Sequence, residues 1–198
     1  MSWFEINPYF IGSLLLLQAL GNRVFPEVKQ RMSIMCVAVT GVVSAIGLWQ
    51  STYWVLSGDE TPSFFMNQLV LLLRDYFLTE LVYSAAFHFE HTALLELWIH
   101  HIAFLIFLTV GLNHQLTGYV RPLLLLEIPT FLRALGQLFP DYRSSYLFRS
   151  SFILTRVIWP FYPIAMYKSP GIYYYSIPIL MQVAHLWWFY KMLMKPTA

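Results

Sequence analysis

An all-α, multi-pass membrane fold is what this sequence predicts, and three observations predict it. The composition is lopsided: 58% of residues are hydrophobic, 18% aromatic and only 11% charged, with a mean hydropathy of +0.58. A soluble domain carries about 25% charged residues, so this chain lacks the polar surface to cover itself in water. Seven apolar segments, each near the roughly 20 residues that a bilayer requires, lie at about 4–21, 32–56, 64–87, 94–112, 117–139, 146–167 and 172–194. The connections between them are short (GNRVFPEVKQR, SGDETPS, HFEHTA, NHQLT, PDYR and KSPG) and leave no room for an extramembrane domain.

The elements follow in order. The first span is shortened by Glu5, Asn7 and Pro8; with no basic stretch before it and no small-residue cleavage site after it, it reads as retained. The second opens on a basic KQR and contains the single cysteine, Cys36, which excludes a disulfide framework and a cysteine-based zinc site. The last three contain Pro129, Pro160, Pro163 and Pro178, each of which removes a backbone donor and bends its helix. Loop Lys and Arg cluster on one side (Arg23, Lys29, Arg31, Arg143, Lys191, Lys195) against Lys168 on the other, so the N-terminus is expected on the luminal side and the C-terminus in the cytosol. Trp3, Trp49, Trp54, Trp187, Trp188 and Tyr173–Tyr175 fall near span ends, where an interfacial belt would sit. A net charge of +2, with dispersed basic residues, gives no nucleic-acid footprint.

Ionisable side chains at membrane depth are costly and normally face one another or a wet cavity. In the third span, Asp75, Tyr76, Thr79, Glu80 and Tyr83 fall within an arc of roughly 140° at 100° per residue. In the fourth, Glu96 and His100 share a face, while His101 points about 100° away. Glu127 and Thr130 share a face in the fifth span, where Pro129 leaves the Leu125 carbonyl without its usual donor, and Arg156 lies at similar depth in the sixth. The expected interior set is Asp75, Glu80, His100 or His101, Glu127 and Arg156. Candidate catalytic residues are His100, His101 and Glu127; candidate lipid-binding residues are Asp75, Thr79, Glu80, Tyr83, Glu96, Thr130 and Arg156.

Two readings of that set stay open. In one, Arg156 pairs with Asp75 or Glu127, the histidines donate to carbonyls or Glu96, and the polar groups only join helices. In the other they line an acyl-binding cavity, with a histidine available as general base or nucleophile. Metal is not expected. Glu96 is followed at the di-iron offset by Ile99 rather than histidine, and His88, His91 and His114 read as loop residues. His185 reads as a hydrogen-bonded interface histidine.

The order of these features is similar to that of the TLC (TRAM–Lag–CLN homology) domain. The resemblance runs through KQRMSIMCVAV, RDYFLTELVY, the Ile-His-His of the fourth span, LEIPTFL, FILTRVIWPFY and the closing WFYK, over about residues 29–195. It implies two parts: an N-terminal helix with a basic loop (1–28) and a TLC domain (29–198), hence a six-helix membrane barrel plus one helix. It also implies residence in the endoplasmic reticulum or another internal membrane, and a link to sphingolipid or phospholipid metabolism. In the ceramide synthase branch, paired histidines and a later His-Asp with a second Asp are thought to form the acyl-transfer site. Here His100–His101 is present, but Leu126–Glu127 stands where His-Asp would, and Pro129–Thr130 where Ser-Asp would. That departure favours the non-ceramide-synthase branch. The expected function is binding or handling of lipid acyl chains, with membrane lipids as partners and no cofactor. Alternatives are an acyl-CoA-dependent acyltransferase and a membrane cargo or assembly factor.

Overall fold

The computed structural model describes residues 6–87, 94–166 and 172–194, and it is helical throughout, with no strand among the described residues. His88, His91, Trp3, Glu5, Lys168 and Lys195 lie outside these residues, as do the side chains of Lys29, Glu96 and Tyr173–Tyr175.

Helix α1 (Pro8–Val24) starts where Pro8 fixes φ at its first position and the Asn7 side chain accepts from the Phe10 N–H. The long α2 (Val28–Ser57) ends at Gly58, whose left-handed conformation (φ 63°) lets its N–H return to the Trp54 carbonyl. Helices α3 (Phe64–Phe87) and α4 (Leu94–Asn113) follow. The second, third and fourth sequence-derived spans thus coincide with continuous helices, as does the seventh, 172–194; among the described residues, α2 is the one long and apolar enough on its own to cross a membrane, over Gln30–Ser57.

The fifth span is not a single α-helix. Residues Thr117–Leu126 form a ten-residue 3-10 segment, and only Glu127–Leu138 is α-helical (α5). Such tight runs rarely exceed three or four residues; here close packing holds one. A Cβ on Gly118 would lie 2.0 Å from the Glu60 carbonyl oxygen, and one on Gly47 would lie 3.0 Å from the Leu124 backbone. Because α5 begins at Glu127, Pro129 falls in its first turn, where no intrahelical donor is needed. The Leu125 carbonyl, expected to be orphaned, accepts from the Glu127 N–H instead.

The sixth span is broken twice. Helix α6 (Ser145–Phe152) widens into a π turn over Ile153–Ile158, marked by the Trp159 N–H reaching back five residues to Leu154 at 2.9 Å. The short α7 (Phe161–Met166) restarts after Pro160. Helix α8 (Ile172–Met194) closes the chain.

Contacts run in a circuit: α2 to α3, α3 to α4, α4 to α8, α8 to the π turn, α6 to α5, and α5 back to α2. The 3-10 segment sits within it, touching α2, α3, α4 and the π turn, and α1 lies against α2 and α3. The first span differs from its expected form: the Asn7 N–H, at the start of α1, meets Asp75 midway along α3 at 2.9 Å, so α1 begins level with the middle of α3.

Beside an apolar core, the interior holds charged side chains and the outside carries aliphatic ones. Arg74, Asp75, His101, Arg121, Glu127, Arg156 and His185 are all buried. Val42, Leu48, Val55, Ile99, Ile102, Ile106, Leu180, Val183 and Leu186 are exposed on α2, α4 and α8. Trp49 and Trp187 are exposed as a belt would require, but Trp54 is buried edge-on to Tyr162, because α2 packs inward there.

Candidate functional site

The arc on α3 divides between two neighbours. Asp75 accepts from the Arg74 guanidinium (2.8 and 3.1 Å) and from the Asn7 N–H, so its charge is matched at the N-terminus of α1. The Thr79 hydroxyl donates to the Asp75 carbonyl four residues back (2.6 Å), and the Tyr83 hydroxyl accepts from Asn22 of α1 (2.9 Å). Asp75 and Tyr83 therefore fasten α1 to α3, while Thr79 bonds within α3.

Tyr76 and Glu80 look the other way. The Tyr76 hydroxyl faces both the Glu80 carboxylate and the Cys36 thiol of α2. Glu80 Oε2 stands 3.5 Å from His101 Nε2 of α4, and the His101 charge field includes Glu127. Thr130, one turn after Glu127, stands between that carboxylate and Arg156: it hydrogen-bonds Glu127 and accepts from the Arg156 guanidinium. Arg156 Nε also donates to the Leu126 carbonyl at 2.9 Å. A chain of polar side chains thus crosses the interior, from Cys36 through Tyr76, Glu80, His101, Glu127 and Thr130 to Arg156. It draws on α2, α3, α4, α5 and the π turn.

His100 points elsewhere, as its helical position requires. Its ring packs against Phe104, Trp188 and His185 at centroid distances of 4.8, 5.4 and 6.5 Å. His185 is almost fully buried; neither nitrogen makes a well-formed hydrogen bond, although the Arg156 backbone lies close by. The broken sixth span explains that proximity. Pro160 has no N–H for the Arg156 carbonyl, and the widened turn frees the Val157 carbonyl, which Gln182 of α8 serves at 3.1 Å.

An apolar cleft adjoins this chain. About 350 Å³ of empty space, counting its open mouth, lies among Phe104 and Phe107 of α4, Leu126, and Met181, Gln182 and His185 of α8. A second lobe of about 270 Å³ shares Phe104, Phe107 and Leu123 and reaches Glu127. The lobes are narrow, wide enough for water-sized groups.

At the α2–α3 end the connection is clamped. Asp59 accepts from the Thr61 N–H (2.9 Å) and hydroxyl (2.6 Å) and from Tyr53 (3.2 Å), and pairs with Arg121 at 3.0 Å. The Thr61 hydrogen bonds, aided by Arg121, hold the Asp59 carboxyl down at about 2.

No family model, curated protein or solved structure matches this chain.

Of the sequence-derived candidates, Glu80, His101, Glu127, Thr130 and Arg156 come together. Asp75 does not join them, and no described ion pair links it to Arg156, because Arg74 and the α1 terminus occupy its oxygens. Among the described residues, no three His, Cys, Asp or Glu side chains are gathered as a metal site would gather them. Sequence reasoning missed Cys36, Arg121 and Gln182. The i, i+3 spacing of Gln182 and His185 was the available signal for one face of α8; Arg121 and Asp59 are 62 residues apart and gave none.

Proposed function

We propose that this chain is a multi-pass membrane protein of the TLC type, six helices in a ring with α1 outside it, that handles the apolar chains of membrane lipids. Its place would be the endoplasmic reticulum or another internal membrane, with the N-terminus luminal and the C-terminus cytosolic. One observation carries the reading: charged and imidazole side chains from six segments turn inward beside an apolar cleft, while leucine, isoleucine and valine are exposed on the outside. In water that arrangement is unfavourable on both counts. In hydrocarbon it is the expected one, and helices whose charges face inward can span without exposing them to lipid. Arg74, Asp75, Glu80 and Arg156 are interior, so the charges of α3 and the sixth span are no obstacle. Narrow lobes imply that helices separate slightly to admit a chain; the π turn and Pro160 supply a break at which the wall yields.

A second reading, acyl transfer from acyl-CoA, draws on a different observation. One His101 nitrogen, Nε2, stands 3.5 Å from Glu80 Oε2 without a formed hydrogen bond, and Nδ1 has no hydrogen-bond partner, so the ring has a nitrogen to offer as a general base. Glu127 reaches the cleft and His101 does not line it, which favours handling over transfer.

The test is a series of His100→Ala, His101→Ala and Glu127→Gln read by whole-cell lipidomics at matched protein level. The expected outcome is a change in one lipid class while protein abundance holds. A fall in abundance with lipids unchanged would mean that these groups only join helices.

A further inference from the structure

The inner wall of the cleft says what kind of molecule belongs there. Gln182 is 5% exposed and lines the cleft. Its amide nitrogen is fixed on the Val157 carbonyl at 3.1 Å, which sets the orientation of the amide and leaves Oε1, a buried acceptor, without a partner. His185, one turn on, is 1% exposed and lines the same wall. A neutral imidazole presents one donor and one acceptor. Neither ring nitrogen makes a well-formed hydrogen bond, so a donor and an acceptor are both left over. Buried acceptors left unmatched are costly, and native interiors rarely keep them so. The rest of the cleft is apolar, with Phe104, Phe107, Leu126 and Met181 along it and no Arg or Lys among its described lining residues.

We infer, on the basis of the lipid-handling reading above, that the cleft takes a long-chain lipid whose head is an uncharged hydroxyl, which donates to Gln182 Oε1 and accepts from the His185 N–H. A hydroxyl both donates and accepts, so it matches an amide oxygen and an imidazole N–H together. A carboxylate only accepts. It would set two negative oxygens against the Gln182 Oε1 with no Arg or Lys in reach of the wall, since the Arg156 guanidinium is engaged by Leu126 and Thr130.

Photo-crosslinking of the full chain in lipid nanodiscs tests this with two probes. One is a sixteen-carbon alcohol with a diazirine near the hydroxyl end of the chain; the other is the corresponding acid. The expected result is labelling of α4 or α8 peptides around Phe104 or Met181 by the alcohol, at least about tenfold stronger than by the acid at neutral pH, the size of one hydrogen bond alone. Gln182→Leu should bring the alcohol down to the level of the acid without abolishing labelling. Thermal unfolding of that variant identifies a misfolded sample, and the comparison of the two probes on the unsubstituted chain stands without it. Equal labelling by acid and alcohol would overturn the hydroxyl assignment and leave the lipid-handling reading intact. Labelling of the cleft by neither probe would overturn both.

Discussion

Arg156 is the residue on which most of the interior depends. It donates to the Leu126 carbonyl and to Thr130, and through Thr130 it faces Glu127. Removing one member of a buried charged pair leaves the other uncompensated, which typically costs about 3–5 kcal/mol. Arg156→Leu is therefore expected to lower stability in detergent by about that much. Glu127→Gln in the same chain should restore part of it, because the stranded carboxylate is then gone. Thermal unfolding of both single variants and the double variant gives the coupling directly. Strict additivity would mean that the two side chains do not sense each other. Thr130→Val, isosteric but without the hydroxyl, should cost about 1–3 kcal/mol, since it strands a guanidinium N–H and a carboxylate oxygen at once. The sequence offered Asp75 or Glu127 as the partner of Arg156 without deciding between them. The sequence put Thr130 on the Glu127 face by helical spacing, but which carbonyl Arg156 would reach depended on where the fifth span changes from 3-10 to α-helix. Adjacent Arg74 and Asp75 point apart on a helix, and only the reach of the guanidinium brings them together.

At the level of elements, hydrophobic runs and turn residues were enough to locate the helices but not their internal breaks. The third and fourth spans match α3 and α4 almost residue for residue, because a run of about 20 apolar residues bounded by polar loops has few alternatives. The fifth and sixth spans contain the same kind of run, yet one begins as a 3-10 helix and the other widens into a π turn. Prolines signalled some irregularity in both; its form was decided by packing that no local signal records. Gly118 shows the difference. Nothing in TGYVRP announces that a backbone carbonyl from Glu60 passes where a side chain would be. Gly118→Ala is expected to destabilise by about 1–3 kcal/mol or more, because the obstacle is backbone and cannot swing aside. Gly12→Ala is the matched control: it sits within α1 with nothing within 4 Å of the added Cβ, and should be neutral or stabilising by up to about 1 kcal/mol. Loss of thermal stability in both variants would point to a general intolerance rather than to the Glu60 contact.

For the whole molecule, two predictions separate the ends of the bundle from its environment. The first concerns acid. The Asp59 carboxyl titrates at about 2 in the folded chain against an ordinary 3.8, so its contribution to stability is complete above the ordinary value and disappears as pH falls through about 2. Asp59→Asn should therefore lower the unfolding temperature at neutral pH and flatten its fall between about pH 4 and pH 2, the two chains converging at the acid end. A profile unchanged by the substitution would show that the clamp at the α2–α3 end does not matter to folding. The second concerns orientation. In the proposed topology the basic residues that flank the α1–α2 and α5–α6 connections would place those in the cytosol, and the 58–63 connection in the lumen. Cys36 is buried, so new cysteines report without interference from it. Asp141→Cys and Pro62→Cys, both at exposed positions, should behave oppositely toward a membrane-impermeant maleimide on sealed vesicles of internal membrane with the cytosolic face outward. Cys at 141 should react at once, and Cys at 62 only after the vesicles are opened. Equal reactivity at both positions before opening, or recovery of the chain in the soluble fraction after alkaline extraction, would mean that the exposed leucines and valines are covered by something other than lipid. The inward turn of Glu80, His101, Glu127 and Arg156 would then need a different cause.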